Sequence, residues 1–391
     1  MSKAYDSVNF SLFKHSLSRL SLPQPIINIL SDLLANRQNE VITNFGLTSP
    51  YQVQNGIDQG ETITPLLWRI YYDPLISYIH SNFSGYFAST TWLTNLKNFS
   101  TKQLHTNCSV LAYMDDTLWV ASSQAELVNI LTIAESFYTI ANIKVNPTKS
   151  ILSTNSKPSA YNTIIFNSEP LALWPSNQPF KFLGCWFTLD NKSTKQSQFI
   201  SLESSQLIRI ANKKQITDSQ ARYIINIVII PTLEYRLQNI VLSQSTCDKI
   251  FKQHINLLKH KAKLCRTIPT SVLLHPYIYN IKNIWDIQLQ HHIPNFIKRL
   301  NNNHLLGILT QIRVQQLQNN LWSTTSILSH PCPIIDGPNR FTTNFKIIQL
   351  LKHLEWEISP SPNTPIPFLI QEGSITLESI YSIFTPQLLY F

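Results

Sequence analysis

Two adjacent aspartates, Asp115 and Asp116, lie between two short runs of apolar and β-prone residues, 110–114 and 117–120. This pattern predicts a strand, a tight turn at the aspartates and a second strand. Neighbouring carboxylates repel each other, and a hard divalent cation such as Mg²⁺ removes the repulsion because it prefers oxygen ligands. Aspartate also favours turns for conformational reasons alone. The pair by itself therefore leaves a metal-binding hairpin and an ordinary turn both open.

Composition limits the class of protein. The chain has 391 residues, of which 43% are hydrophobic, so it has room for two or three domains with sizeable cores. Its net charge of +9 suits a polyanionic partner, although a basic balance is also common in proteins with no such partner. The five cysteines are scattered and form no Cys-x-x-Cys pair, which indicates neither a zinc knuckle nor a disulfide framework. We expect an intracellular protein, in the cytoplasm and/or the nucleus, with no membrane segment.

Periodicity and turn chemistry suggest several elements around the aspartate pair. A helix is predicted over residues 23–36, a β-hairpin over 39–55 and a helix from Pro65 onward. Ser123 followed by Glu126 predicts a capping box at the start of a helix. Residues 81–107 are polar and lack periodicity, so they are predicted to form an inserted surface loop.

Tyr-Met-Asp-Asp at 113–116 resembles the central motif of reverse transcriptases. Residues 55–68, which include Gln59, Gly60, Thr64 and Pro65, resemble motif B of the enzymes of non-LTR (LINE-like) retrotransposons. Residues 3–8, Lys-Ala-Tyr-Asp-Ser-Val, match the second half of their motif A. Residues 141–152 resemble motif D, and residues 180–187 resemble motif E.

The resemblance implies roles for individual residues. Asp115 and Asp116 would bind Mg²⁺ (or Mn²⁺) as catalytic residues, and Tyr113 and Met114 would line the substrate site. Gln59 and Gly60 would contact the incoming nucleotide, and Tyr5 would crowd a nucleotide 2′-hydroxyl, although it also suits an ordinary core position. Asp6 is expected to cap a helix.

Motifs D and E and the following helices would complete the site. Lys149 would stabilise or protonate the leaving pyrophosphate, and a solvated surface lysine is the alternative. Phe182, Leu183 and Gly184 would hold the primer end. A basic helical face that includes Lys259, Lys261 and Lys263 would grip duplex phosphates, with a solvated lysine face as the alternative.

The implied fold is α+β. A polymerase palm, an antiparallel sheet backed by helices, would occupy residues 1–190. A helical thumb would follow over 191–270, and a mainly helical region of unknown role over 271–391. The implied activity is RNA-directed DNA polymerisation, with an RNA template, a DNA primer and dNTPs as partners.

The first metal-binding aspartate of motif A would fall immediately before Met1, and the fingers would precede it. The chain as it stands is therefore expected to be inactive. The alternatives are a non-catalytic nucleic-acid-binding remnant of a retroelement and an unrelated helical protein.

Overall fold

A computed structural model describes residues 4–35, 37–95, 100–155, 163–190, 192–321, 327–328, 342–354 and 358. The chain forms two compact units. The first comprises Met1–Phe87 and Asn107–Pro175, and the second comprises Ala88–Thr106 and Ser176–Phe391.

Helices in the first unit are α1 (Phe10–Arg19), α2 (Gln24–Ala35), α3 (Thr64–Asn82) and α4 (Gln124–Ile140), with 3₁₀ turns at Tyr5–Ser7 and Pro147–Lys149. Helices in the second unit are α5 (Thr194–Lys213), α6 (Asp218–Tyr223), α7 (Ile230–Leu237), α8 (Gln244–Lys261), α9 (Thr270–Leu274), α10 (Ile284–Leu300), α11 (Leu305–Asn320) and α12 (Thr343–His353). A π-helix, Ile224–Ile229, joins α6 to α7.

The strands pair as two-stranded antiparallel sheets. β1 (Gln38–Asn39) pairs with β4 (Tyr51–Gln52), and β2 (Ile42–Thr43) pairs with β3 (Gly46–Leu47). The other pairs are β5 (Tyr86–Asn95) with β6 (Ser100–Cys108), β7 (Val110–Tyr113) with β8 (Asp116–Trp119), β9 (Thr163–Phe166) with β10 (Glu169–Ala172), and β11 (Phe180–Phe182) with β12 (Cys185–Phe187). The α+β class and the hairpin over 39–55 are confirmed. The palm and thumb assignments and the three domain boundaries stay predictions.

Helix α3 is the centre of the first unit. Its side chains Trp68, Tyr71, Tyr72, Leu75 and Ile79 are almost fully buried. Around it pack apolar residues of α1, α2, α4, β7 and β9 in one continuous core. Burial of such large aromatic surfaces contributes much of the stability of a unit of this size.

Two helix starts show how local sequence sets the boundaries. Asn9 caps α1, with its side-chain oxygen accepting from the Ser11 and Leu12 amides, so the expectation that Asp6 caps a helix is wrong. Ser123 caps α4 as predicted, accepting from the Glu126 amide. The Glu126 carboxylate, however, accepts from Ser122 rather than completing the capping box with Ser123.

Residues 81–107 are not a surface loop, and that prediction is wrong. Helix α3 continues to Asn82, and β5 and β6 then pair with each other. Amide groups of α11 support this hairpin, because Gln316 donates to the Ser89 carbonyl (2.8 Å) and Asn319 to the Thr91 carbonyl (3.2 Å). The two strands are held by main-chain pairing and by contacts with a distant helix. Their sequence shows no hydrophobic alternation, which is the signal from which strands are predicted.

In the second unit, the π-helix Ile224–Ile229 ends two residues before Pro231, which disturbs regular helical bonding. Proline lacks an amide hydrogen, and its ring clashes with the carbonyl four residues earlier. The Ile230 amide bonds to the Ile225 carbonyl, five residues back, which widens the helix locally. None of the helices in the described part of the chain has both the length and the apolarity needed to cross a bilayer.

Candidate nucleotidyl-transfer site

The aspartate pair lies at the end of the β7–β8 hairpin, in the first unit. Tyr113 pairs with Asp116, so the loop consists of Met114 and Asp115, and Asp116 begins β8. Met114 has a φ of 54°, the positive value that two-residue hairpin loops favour. The prediction of a hairpin is confirmed, and the position of Asp116 is corrected by one residue, from the turn to the strand.

The two carboxylates lie in different environments. Strand alternation places Asp116 on the same face as Tyr113, Leu111 and Leu118, and all four side chains are exposed. Asp115 is half-buried at the tip. The Asp115 side chain is therefore partly shielded from solvent, and the Asp116 side chain faces solvent.

Two aromatic residues from motifs A and B hold the tip of this hairpin. The Tyr5 hydroxyl donates to Met114 Sδ (3.5 Å), and the Trp68 indole Nε1 donates to the Met114 carbonyl (2.9 Å). The rings of Tyr5 and Trp68 contact each other edge to face, 5.7 Å between centroids. Burial, followed by the negative charge of Asp115, raises the pKa of Tyr5. Tyr5 is thus a neutral donor close to the Asp115 carboxylate.

Buried hydroxyls support the middle of the hairpin. The Tyr72 hydroxyl lies 3.1 Å from Thr117 Oγ1 in β8 and 2.7 Å from the Tyr138 hydroxyl in α4. Burial raises the pKa of Tyr72 to about 12, which keeps this network uncharged. Fully satisfied buried networks of this kind make an element rigid.

The base of the hairpin is fixed by Glu126 and Gly85. The Glu126 carboxylate accepts from the Gly85 amide (3.0 Å) and the Ser84 hydroxyl (3.2 Å). Partial burial raises the pKa of Glu126, but these bonds and those from Ser122 outweigh it and hold the pKa at about 2. Gly85 has a φ of 60°, and a Cβ there would lie only 2.3 Å from the Cys108 carbonyl oxygen.

Motif A and motif B are joined by main-chain hydrogen bonds. The Gly56 amide donates to the Val8 carbonyl (2.8 Å), and the Ile57 amide donates to the Tyr5 carbonyl (3.0 Å). A Cβ at Gly56 would lie 3.1–3.2 Å from backbone atoms of Tyr5 and Asp6, and φ is 92°. Only glycine suits this crossing, so the two motifs share one backbone junction.

Gln59 and Gly60 follow this junction and are exposed. The loop that carries them is held at its start by Asp58, which forms an ion pair with Arg37 (2.8 Å) and accepts a bond from the Thr64 hydroxyl through its carbonyl. Gly60 has a φ of 104° and open space where a Cβ would lie. Its glycine is therefore explained by backbone conformation rather than by a close neighbour in the protein.

Lys149 ends the 3₁₀ turn Pro147–Lys149 and is exposed. Asn146 forms this turn, accepting from the Thr148 amide and hydroxyl through its side chain and from the Lys149 amide through its carbonyl. A solvated lysine and a triphosphate contact both remain compatible with this position. Lys3 of motif A lies outside the described residues.

The motif E residues lie in the second unit. Phe182 ends β11, and Leu183 and Gly184 form the loop to β12, so the predicted hairpin is confirmed.

The three lysines that are predicted to bind duplex phosphates differ from one another. Lys259 Nζ donates to the carbonyls of Arg266 and Ile268, and Lys261 Nζ donates to those of Asn212 and Lys214. Lys263, by contrast, is exposed.

The donor set at the tip suits a hard cation. Asp115 and Asp116 supply carboxylate oxygens, and within the described residues no group of three or more Asp, Glu, His or Cys side chains forms a complete metal site. Mg²⁺ is often held by one or two carboxylates together with water and substrate phosphates. The pair therefore fits an ion that arrives with a phosphate substrate.

Several residues that shape this site carry no functional signal in the sequence. Trp68, Tyr72 and Tyr138 form the aromatic support of the hairpin, and they read as ordinary core residues of amphipathic helices. Arg37, which forms the ion pair with Asp58, belongs to no recognisable motif. Gly56 is recognisable in the sequence as the first glycine of motif B, and in the structure its close neighbours are Tyr5 and Asp6 of motif A.

Comparison with known proteins agrees with this geometry. Residues 1–187 match the reverse transcriptase (RNA-dependent DNA polymerase) family. The chain is 19% identical over 267 residues to the retrovirus-related Pol polyprotein from type-1 retrotransposable element R2 of Popillia japonica, an alignment that covers 66% of this chain and 41% of that protein. It is 21% identical over 266 residues to the transposon TX1 uncharacterized 149 kDa protein of Xenopus laevis, covering 66% of this chain and 19% of that protein. The chain thus spans less than half the length of these relatives. Residues 1–187 are therefore a reverse transcriptase domain by family, similar to those of LINE-like, non-LTR retrotransposons.

Proposed function

We propose that this chain contributes the catalytic hairpin and the nucleotide-binding loops of an RNA-directed DNA polymerase. The observation that carries the proposal is the meeting of three motifs. Main-chain bonds join Tyr5 and Val8 to Gly56 and Ile57, and Tyr5 in turn contacts Met114 next to the aspartate pair. Residues distant in sequence thereby surround one acidic tip.

Asp115 and Asp116 would hold Mg²⁺ (or Mn²⁺). Asp115 is the stronger candidate for a direct ligand because it lies at the tip, and Asp116 would assist from the exposed strand face. When bound, the divalent ions would activate the primer 3′-hydroxyl and offset charge on the triphosphate. Tyr5 and Trp68 would keep the Asp115 loop in one conformation during the reaction, since both bond to Met114.

The remaining residues of the first unit would bind the nucleotide. Gln59 and Gly60 are exposed on the loop anchored by Asp58, where they are free of core packing. Tyr5 would exclude a ribose 2′-hydroxyl with its ring, and Tyr113 and Met114 would line the substrate site. Lys149 would approach the triphosphate and stabilise the leaving pyrophosphate.

The second unit would bind the nucleic acid. The hairpin turn at Leu183 and Gly184, together with Phe182, would hold the end of the DNA primer. Lys263 is the best placed of the three lysines to meet phosphates of a template–primer duplex, because it is exposed. Lys259 and Lys261 would contribute charge while also bonding to carbonyls of the protein.

Primer extension on an RNA template tests the proposal. The chain is assayed with dNTPs and Mg²⁺ or Mn²⁺, both as it stands and with an N-terminal extension. We expect Asp115→Asn to lower the extension rate by more than about 100-fold, because several kcal/mol of charge stabilisation are lost. Asp116→Asn is expected to lower the rate less. Asp32→Asn on the exposed face of α2 is the matched control and should extend primers normally.

Two results would contradict the proposal. One is extension by Asp115→Asn at the rate of the unmodified protein. The other is a lack of extension by every form of the protein. Salt-sensitive duplex binding would then favour a non-catalytic nucleic-acid-binding remnant. Absence of both binding and extension would favour an unrelated helical protein.

A further inference from the structure

The turn of the β11–β12 hairpin has an unusual residue. Leu183 and Gly184 both have positive φ values, 47° and 79°. Turns of this kind normally carry Asn-Gly or Gly-Gly, because other residues are strained at positive φ. Leucine has no side-chain polar group with which to offset that strain. An interaction from outside the hairpin would offset part of this strain.

Tyr235 of α7 supplies that interaction. Its hydroxyl donates to the Leu183 carbonyl at 2.6 Å, and its ring lies against Gly184, with Cε1 3.6 Å from the position of a Cβ there. The hydroxyl thus fixes one loop residue while the ring covers the other. The Tyr235 side chain is still 52% exposed, so it lies at the surface beside the turn rather than in the core.

In the part of the chain that the structure describes, two further side chains hold the strands next to the turn. The Gln196 amide oxygen accepts from the Trp186 amide (2.9 Å), and its nitrogen donates to the Arg236 carbonyl (3.4 Å). Asn239 Nδ2 lies 2.9 Å from Cys185 Sγ. Loss of the Tyr235 hydroxyl should therefore loosen the turn and leave the strands paired.

Helix α7 is itself held firmly. It follows the π-helix, in which the buried Asn226 donates to the Asn280 carbonyl (2.8 Å) and accepts from the Lys282 amide (3.0 Å). Ile229, just before α7, and Ile230 and Leu233 within α7 are buried in the core of the second unit. Tyr235 therefore projects from a rigid support, which suits a residue that positions another element.

We propose that Tyr235 is a positioning residue for the primer terminus. It holds the Leu183–Gly184 turn in the one conformation that presents the primer 3′-end for extension. This inference rests on the proposed polymerase function and on the primer-binding role of the hairpin. Tyr235 acts through the turn and takes no part in bond formation.

The test compares Tyr235→Phe with Tyr223→Phe in the form of the protein that extends primers. Tyr223, at the end of α6, is exposed to a similar degree and serves as the matched control. For Tyr235→Phe we expect amide exchange at residues 183–186 to become roughly fivefold faster, the effect of one lost hydrogen bond. We also expect kcat for primer extension to fall several-fold at saturating primer and template, while KM for the dNTP is unchanged. Tyr223→Phe should change neither quantity.

The outcomes separate this inference from the proposed function. If Tyr235→Phe extends primers with unmodified kinetics, or if exchange at 183–186 is unchanged, Tyr235 does not position the turn. Faster exchange throughout the second unit would indicate a general structural role and would also overturn the inference. If no form of the protein extends a primer, the polymerase proposal fails and the role of Tyr235 fails with it.

Discussion

The Tyr5 hydroxyl donates a hydrogen bond to the sulfur of Met114, 109 positions further along the chain. This contact joins the start of the sequence to the loop that carries Asp115. Since the Tyr5 carbonyl also accepts from the Ile57 amide, a single residue connects all three motifs. The position of its ring relative to the aspartate pair is thereby set from two directions.

Replacing Tyr5 tests its proposed role in sugar selection. Tyr5→Ala removes the ring, and we expect incorporation of ribonucleotides relative to deoxyribonucleotides to rise about 10- to 100-fold, the range that steric discrimination in a pocket supplies. The ratio is measured from kcat/KM for matched nucleotide pairs. Tyr5→Phe keeps the ring and loses only the bond to Met114, so its ratio should stay close to that of the unmodified protein. Equal ratios for the alanine variant and the unmodified protein would disprove this role of Tyr5 in excluding a 2′-hydroxyl.

Gly56 provides a test of the junction between motifs A and B. Gly56→Ala would press a methyl group against backbone atoms of Tyr5 and Asp6, which cannot move far. Gly60→Ala has a similar positive φ but open space around the Cβ position. Because both variants share the conformational strain, we expect Gly56→Ala to be less stable than Gly60→Ala by about 1–3 kcal/mol, the cost of overpacking.

Calorimetric unfolding of the two glycine variants measures this difference. The transition of the first unit should shift further for Gly56→Ala, and the second unit should be unaffected. Equal shifts for the two variants would mean that the backbone at Tyr5 and Asp6 yields to the new methyl group.

The lysines that are predicted to bind duplex phosphates should differ in the effect of their replacement, because Lys263 is exposed and Lys261 bonds to the protein. Lys263→Ala removes an exposed charge, and we expect it to weaken duplex binding and to reduce the slope of log K against log salt by about 1. Lys261→Ala removes two hydrogen bonds to the carbonyls of Asn212 and Lys214, so it should also lower the stability of the second unit by about 1–2 kcal/mol. Salt titrations of binding and thermal unfolding check the two effects. An unchanged slope for Lys263→Ala would favour a solvated lysine face.

His254 predicts how stability depends on pH. It is fully buried, with Nε2 2.9 Å from the Ser204 hydroxyl, and burial lowers its pKa from 6.5 to about 4. Between these values the unfolded chain binds more protons than the folded one, so stability falls as pH falls from about 6.5 to 4. The loss is on the order of 3 kcal/mol for a shift of this size.

Hydrogen exchange of the second unit between pH 7 and 4 measures this loss, after correction for the intrinsic pH dependence of exchange. His254→Gln cannot titrate in this range and should show a smaller dependence on pH than the unmodified protein. An identical pH dependence in both proteins would assign the loss to other groups.

Local sequence predicted much of the first unit. The hairpin at the aspartate pair, the hairpin over 39–55, the helix after Thr64 and the Ser123 cap all follow from turn residues, apolar periodicity and capping chemistry within a few positions. These signals are local because neighbouring residues alone determine them. The strands at 86–95 and 100–108 were missed because their stabilising contacts come from α11, more than 200 positions away.

The sequence by itself determined which side chains could do the chemistry. These are two adjacent carboxylates, a glycine-bearing loop and an aromatic residue in motif A, all parts of motifs that a family shares. Only the tertiary structure decided which of these motifs contact one another. Tyr5, Trp68 and Tyr72 hold the acidic hairpin at its tip and middle, Gly56 joins two motifs through the main chain, and Tyr235 fixes the turn at Leu183. Such contacts depend on distances between residues far apart in the chain, and no local pattern encodes them.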